Sequence, residues 1–235
     1  MVQAAPKTKT TESFHSYPIN IQKLIHHLQS GKNFTPIQIK EIIAEANISS
    51  EDLFPWADFN HPVADSYGRK LVFNGGHFEV MVMSWLPGDF SAIHDHGSTQ
   101  WGAVQCFGVA EHYIYSFKDG ILKTEKPAHY TPYQIHTVDH DLIHQMGNSG
   151  NDPFLSLHVY GCAESTENIT GNARIFDLLE ECIQYTDGGV FFCLPQSQIN
   201  YRVPGIKGDM ETTLRYHRLM RDRVRRILQS KDNFS

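Results

Sequence analysis

Cysteine is scarce in this chain, and its spacing shows no pairing pattern. Cys106, Cys162, Cys182 and Cys193 are the only four among 235 residues, and no two of them form a CxxC pair. So small and irregular a set argues against a disulfide scaffold and against a cysteine zinc site. We therefore expect a reducing, cytoplasmic setting.

Long apolar runs and an excess of basic residues are also missing. No stretch of about 18 apolar residues occurs, so we expect no membrane span. The formal net charge is −6, whereas surfaces that bind nucleic acid are basic, so nucleic acid is not an expected partner. The segment 1–16 is polar and lacks the apolar core of a secretory signal, and we expect it to be a disordered tail.

The segment 17–66 carries the signals of two helices, which we expect to pack on the main fold. Apolar residues recur at helical spacing from Ile21 to Leu28. A second helix is predicted to begin at Pro36, because Thr35 and Gln38 can form a capping box around it.

The segment 67–162 is rich in strand signals. Residues 78–85 alternate with the period of a strand, and both alternating sets are largely apolar, which predicts a strand covered on both faces. Several short β-like runs follow, separated by turn residues. Closely spaced short strands favour a mainly β fold, a small antiparallel barrel or sandwich. The runs are 101–107, 109–117, 121–123, 134–138 and 154–160.

The segment 163–235 is predicted to be a mixed extension of the same domain. We expect a short helix over Arg174–Gln184, a strand over Gly189–Leu194 and a basic helix over Glu211–Gln229. The basic charge indicates either an anionic partner or a solvated helix face, and we favour the second because the chain offers its own acidic partners. The residues expected to pack this helix on the barrel are Leu214, Met220, Val224, Ile227 and Leu228.

The most informative segment is Gly88–His96, which contains an HxH pair. Residues i and i+2 of a strand face the same way, so His94 and His96 project together and can bind one metal. His144, in a later β-like run, is the best candidate for a third ligand. An isolated HxH pair is more often two surface or hydrogen-bonded histidines, so its surroundings decide.

Those surroundings resemble the two motifs of the cupin family, G-x5-H-x-H-x3,4-E-x6-G and G-x5-P-x-G-x2-H-x3-N. The resemblance implies a small cupin β-barrel with N-terminal helices and a C-terminal helical extension. Two departures stand out: Gln100 or Trp101 takes the place of the motif Glu, and residues 139–141 replace P-x-G. The matching residues are Gly88, His94, His96, Gly108, His144 and Asn148.

The missing Glu has a chemical consequence. Three neutral imidazoles leave the metal its full 2+ charge and open positions on one side, which suits an anionic chelating substrate together with O2. A thiolate with a neighbouring amine is one such chelate. Zinc also accepts three histidines, so the ligands alone do not select the metal.

A wider stretch is similar to the cysteine dioxygenase family of thiol dioxygenases. The likeness runs through 67–72, 78–85, 93–96 and 156–160. It implies an Fe(II) enzyme that converts L-cysteine and O2 to cysteine sulfinic acid. It also implies that His94, His96 and His144 bind iron, that Arg69 and Tyr67 hold the substrate carboxylate, and that Ser156, His158 and Tyr160 form a hydrogen-bonded row beside the metal.

The residues themselves agree with those roles. Ser156, His158 and Tyr160 fall at i, i+2 and i+4 and so share one strand face. An arginine fork, as in Arg69, takes a carboxylate in two hydrogen bonds. Each residue alone also has an ordinary structural interpretation, and their joint order along the chain favours the functional one.

Alternatives remain open at this point. A sister dioxygenase of 3-mercaptopropionate is the nearest rival, although a Gln commonly replaces the Arg in that branch. A non-catalytic metal-binding cupin is the rival from another class. Animal relatives link a Cys after HxH to the active-site Tyr; here Trp101 or Gly102 stands near that place, so Tyr160 is predicted to be unmodified.

Overall fold

The computed structural model describes residues 16–164 and 168–232. Apart from Ser16, the predicted tail lies outside the described residues. Two helices, α1 (Ile19–Gln29) and α2 (Pro36–Ala46), and a 3₁₀ turn (Glu51–Trp56) precede the strands, and α3 (Met210–Asp232) follows them. The strands are β1 (Gly68–Asn74), β2 (Phe78–Trp85), β3 (Trp101–Cys106), β4 (Ala110–Lys118), β5 (Ile121–Tyr130), β6 (Ile135–Asp139), β7 (Ile143–Gly147), β8 (Phe154–Gly161), β9 (Ala173–Asp177), β10 (Cys182–Thr186), β11 (Ile199–Pro204) and β12 (Lys207–Gly208).

The strands form antiparallel sheets around a shared interior. One sheet has the order β1-β2-β8-β3-β6, a second has β12-β5-β4-β7, and β11-β10-β9 form a third group. Of the pairings described, only the short β12–β5 pair is parallel. Side chains from the first two sheets meet in one buried cluster that includes Met81, Val104 and Met146. The prediction of a mainly β barrel with helices at both ends is confirmed.

The HxH segment joins these sheets rather than forming a strand of its own. Isolated bridges link Phe90 to Gly147 and His94 to both His144 and Ile175. The prediction of a regular strand over this segment is therefore wrong. Its backbone hydrogen bonds go to β7 at some residues and to β9 at others. His94 still donates to the carbonyl of His144 at 2.9 Å, which ties the segment to β7.

The N-terminal helices form as predicted. Thr35 and Gln38 make the capping box at the start of α2, with Pro36 in its first turn. The buried stripes of α1 and α2 pack in one apolar cluster with residues of β2, β3 and β8. Burial of apolar surface is therefore what holds these helices on the outer face of the first sheet.

The C-terminal region corrects two predictions. The helix expected over Arg174–Gln184 is the hairpin of β9 and β10, in which Asp177 accepts the backbone N–H groups of Leu179 and Glu180 at the turn. The strand expected over Gly189–Leu194 is a loop. It is held by the hydrogen bond from Ala92 N to Val190 O at 3.0 Å rather than by a ladder.

The long terminal helix is confirmed, but its packing face differs from the predicted one. Leu214, Val224 and Leu228 are 51%, 54% and 57% exposed, so these three contacts were predicted wrongly. The helix instead buries Tyr216 and Arg223. Tyrosine and arginine side chains can bury their ring or aliphatic part while the polar end forms hydrogen bonds. A prediction based only on the positions of apolar residues misses such contacts. Met220 and Ile227 are half-buried.

One buried carboxylate ties this helix to the HxH segment. The Asp89 side chain is inaccessible to solvent and accepts a hydrogen bond from Arg226 of α3 at 3.0 Å. Its other oxygen lies 3.0 Å from Nε2 of His61 and accepts the backbone N–H of Leu86 at 2.7 Å. Three separate parts of the chain thus meet at one side chain five residues before His94.

Within the described ranges, no helix is long and apolar enough to cross a membrane.

Candidate metal centre

Three imidazoles converge inside the barrel. One ring nitrogen from each of His94, His96 and His144 lies within 4.8 Å of the others, and all three side chains are buried. The Nε2 atoms of His94 and His144 are 3.1 Å apart. His94 and His96 come from the irregular segment and His144 from β7, so two distant parts of the sequence build the cluster, as predicted.

The three rings are held in different ways. Nδ1 of His94 lies 2.9 Å from the carbonyl of Ala92, and Nδ1 of His144 lies 2.7 Å from Nε2 of His112. Neither ring nitrogen of His96 has a hydrogen-bond partner among the residues that the structure describes. A buried imidazole without partners is a costly arrangement in an ordinary core, whereas it suits a ligand for a divalent cation.

Burial keeps these imidazoles neutral. It lowers the pKa of His94 to about 4. Burial, reinforced by the neighbouring histidines, holds the pKa values of His96 and His144 well below their usual range. Because a metal binds the unprotonated nitrogen, the cluster is ready to bind a metal at neutral pH without first losing protons.

Opposite the triad, β8 carries a continuous row of hydrogen bonds. Trp85 Nε1 donates to Ser156 Oγ at 2.8 Å, and Ser156 Oγ lies 2.8 Å from His158 Nε2. His158 Nδ1 in turn lies 2.9 Å from the hydroxyl of Tyr160. Burial lowers the pKa of His158 to about 3, so its ring carries a single proton.

The network assigns that proton. Ser156 is fully buried, and within the described chain the only acceptor in reach of its hydroxyl is His158 Nε2. His158 therefore carries its proton on Nδ1 and donates it to the Tyr160 oxygen. The phenolic hydrogen of Tyr160 is then free to point into the cavity. Burial also raises the pKa of Tyr160, so the side chain remains a phenol and a donor.

The residue facing the Tyr160 ring is Gly102. The two are paired across β3 and β8, and a Cβ on Gly102 would lie 2.7 Å from Cδ1 of Tyr160. Trp101 instead packs in the cluster beneath the N-terminal helices. Of the two candidates, Gly102 therefore occupies the place beside the ring, and it has no thiol to link. That Tyr160 is unmodified stays a prediction.

Tyr67 and Arg69 line the same cavity as the triad; that they hold a substrate carboxylate stays a prediction. The cavity and the open solvent at its mouth together measure about 500 Å³. Tyr67 is buried and stacks on Trp85 with ring centroids 4.7 Å apart. Arg69 forms no ion pair within the described chain. Burial raises the pKa of Tyr67, although the positive charge of Arg69 acts to lower it. A guanidinium without a carboxylate partner at a cavity wall suits an anionic ligand.

Sequence reasoning missed several residues around the cavity. Trp85 begins the hydrogen-bonded row, His112 contacts His144, and the loop Gly188–Val190 forms part of the wall. Trp85 could have been found, because it shares the inward parity of Met81 and Met83 on β2. His112 and the loop carry no local signal, since their role depends on which strands become neighbours.

Comparison with known proteins agrees with this geometry. The model of the family described as cysteine dioxygenase type I matches residues 8–168. Human cysteine dioxygenase type 1 is 25% identical over 146 residues, which cover 59% of this chain and 70% of the human protein. The Pongo abelii protein of the same description has the same values.

The solved structures that match share less sequence with this chain. An uncharacterized conserved protein of Klebsiella pneumoniae with a double-stranded β-helix domain is 20% identical with a TM-score of 0.36, covering 51% of this chain and 93% of its own. The cupin domain of Schizosaccharomyces pombe Cnp3 is 9% identical with a TM-score of 0.34, covering 41% and 61%.

Proposed function

Because this chain belongs to the cysteine dioxygenase type I family, we propose that it is an Fe(II)-dependent thiol dioxygenase that converts L-cysteine and O2 to cysteine sulfinic acid. The observation that carries the proposal is the meeting, in one cavity, of three neutral imidazoles, an arginine without an ion pair among the described residues, and a phenol hydrogen-bonded to His158. We place it in a reducing compartment, the cytoplasm, since its four cysteines are free.

In this proposal His94, His96 and His144 hold the metal. Fe(II) bound there would supply the redox chemistry by which both atoms of O2 reach the substrate sulfur, with the thiol as the source of electrons. Among the residues that the structure describes, no carboxylate joins the cluster, so the cation would keep its full charge toward a thiolate. Zinc fits the same three ligands, so the identity of the active metal is a matter for measurement.

Arg69 and Tyr67 orient the substrate. A carboxylate placed against the Arg69 fork accepts two charge-assisted hydrogen bonds, which fix the molecule relative to the triad. Tyr67 is held by stacking on Trp85 and Phe191 and forms a rigid wall beside that fork. Apolar side chains of Met81, Met83 and Val190 close the cavity around the thiol end and limit access of water.

Tyr160 is assigned the role of a hydrogen-bond donor toward the bound substrate or oxygen. The row behind it fixes the direction of its hydroxyl before substrate arrives, so no reorganisation is needed during reaction. His158 and Ser156 act through Tyr160.

Oxygen uptake tests the proposal. Metal-free protein is reconstituted with Fe(II) or with Zn(II) and supplied with L-cysteine or 3-mercaptopropionate. We expect uptake only with Fe(II), with cysteine the better substrate and sulfinate as the product. Metal binding without uptake of either thiol would favour a non-catalytic cupin, and a preference for 3-mercaptopropionate would overturn the substrate assignment.

A matched pair of variants examines the substrate contact. Arg69→Gln removes the fork, and we expect kcat/KM for cysteine to fall by about 10²-fold or more, mainly through KM. The exposed Arg218→Gln on α3 changes the same charge away from the cavity and should leave both constants unchanged. Equal kinetics for Arg69→Gln and wild type would remove Arg69 from the site.

A further inference from the structure

His112 lies directly behind the metal cluster and has no part in the roles described above. It is on β4, its side chain is 1% exposed, and its Nε2 is 2.7 Å from Nδ1 of His144. The two rings meet nearly at right angles, with centroids 5.0 Å apart and an interplanar angle of 70°. This edge-on geometry suits an N–H of one ring directed at the lone pair of the other.

The direction of that hydrogen bond follows from the cluster. Nε2 of His144 faces Nε2 of His94 at 3.1 Å, so Nε2 is the nitrogen that His144 turns toward a metal. A neutral imidazole that binds through Nε2 carries its hydrogen on Nδ1. His144 is then the donor, and Nε2 of His112 must be the acceptor.

Tyr130 is the second neighbour of Nε2 in His112. Its hydroxyl lies 3.1 Å from that atom and can donate to it or accept from it, and its ring stacks on His112 with centroids 4.3 Å apart. With His144 as the donor, Nε2 of His112 carries no hydrogen and the proton of His112 lies on Nδ1, which has no hydrogen-bond partner among the described residues. The opposite tautomer would force His144 to accept at Nδ1 and to direct an N–H at the metal.

We propose that His112 is a positioning residue for the ligand His144, accepting the Nδ1–H hydrogen bond that fixes the ring and strengthens its donation to a divalent metal. The proposal rests on the metal site of the proposed function. The equivalent hydrogen bond of His94 goes to the carbonyl of Ala92. The His112 side chain thus provides for His144 what a backbone carbonyl provides for His94. Partners of this kind typically change metal affinity by about 10–100-fold.

The test measures metal binding without turnover. Fe(II) affinity is determined anaerobically by competition with a chromogenic chelator for wild type, His112→Phe and His112→Gln. The Phe variant keeps a ring but offers no acceptor, and we expect its Fe(II) affinity to fall by about 10–100-fold. The Gln variant offers a carbonyl oxygen and should recover most of the loss.

His136→Phe is the matched control. His136 stacks on Tyr130 with centroids 3.5 Å apart, and within the described part of the chain it is not a member of the metal cluster. The Fe(II) affinity of His136→Phe should stay within about 3-fold of wild type, a difference below 1 kcal/mol. Unchanged affinity in His112→Phe, or an equal loss in His136→Phe, would overturn the positioning role. If wild type binds no divalent metal, the proposed function fails as well; metal binding without thiol turnover would count against the proposed function alone.

A measurement on wild type covers the case in which His112→Phe does not fold. Nitrogen-15 histidine spectra of the Zn(II)-loaded protein report which ring nitrogen carries each proton. We expect His112 with its proton on Nδ1 and His144 likewise. A proton on Nε2 of His112 would rule out the acceptor role.

Discussion

Two groups of polar side chains around the cavity differ in how their polar atoms are satisfied. In the β8 row, Trp85, Ser156, His158 and Tyr160 form an unbroken chain of hydrogen bonds within the protein. In the second group, the ligand-receiving side, His96 has no partner for either ring nitrogen within the described chain, and Arg69, on β1 of the same sheet as β8, makes no ion pair there. The first group holds one side chain still, and the second is open to ligands.

This difference predicts different kinetic consequences. Changes on the ligand-receiving side should remove metal or substrate binding, whereas changes along the β8 row should leave binding nearly intact and slow the chemical step. The expected effects decrease from the metal ligand His96 through Tyr160 and Ser156 to the titration of His158.

The largest effect is expected for His96→Ala. Loss of one of three ligands should lower turnover by more than about 10³-fold and reduce bound metal, because two imidazoles hold a divalent cation weakly. Metal content by elemental analysis and oxygen uptake measure the effect. The exposed His129→Ala is the control and should retain both. Full metal content in His96→Ala would show that the unpartnered ring is not a ligand.

Tyr160→Phe is expected to come next. The ring and its packing remain while the donor is lost, so kcat for cysteine should fall by about 10²-fold with KM within a few-fold of wild type. Steady-state oxygen uptake separates the two constants. If only KM changes, Tyr160 contributes to substrate binding rather than to the chemical step.

A smaller effect is expected two residues earlier. Ser156→Ala removes the hydroxyl that sets the His158 tautomer, so we expect kcat to fall by about 10-fold. Metal affinity should not change, which the chelator competition checks. Ser98, in the half-exposed turn after the HxH pair, offers the control Ser98→Ala. A reduced metal affinity in Ser156→Ala would show that the β8 row also affects metal binding.

The smallest effect concerns stability against pH in the metal-free protein. The pKa of His158 is about 3 in the folded chain and about 6.5 when unfolded. As pH falls below about 6.5 the unfolded state takes up the proton first, so stability is complete above that pH and decreases toward pH 3. At pH 5.5 His158 should account for about 1 kcal/mol of that loss. Urea unfolding at pH 7.5 and 5.5 measures it, and the difference should shrink in His158→Gln.

How far the sequence could predict this molecule depends on the range of each interaction. The β2 strand and the row at 156–160 follow from alternation within a single strand, and the HxH pair is equally local. The hairpin at 173–186 was predicted as a helix because its turn depends on Asp177 capping backbone N–H groups, which competes with any helical pattern. His112 could not be predicted, since its contact with His144 arises from strand register between residues 32 apart.

Asp89 makes the terminal helix and the metal-binding segment a cooperative unit. Removing α3 by truncation would take the Arg226 hydrogen bond from this inaccessible carboxylate and leave it with His61 and the Leu86 N–H. The loop that presents His94 and His96 would then lose its link to the helix. Hydrogen exchange should accordingly report one opening event for Arg226 and the HxH backbone, so the end of the chain cannot be trimmed as an independent appendage.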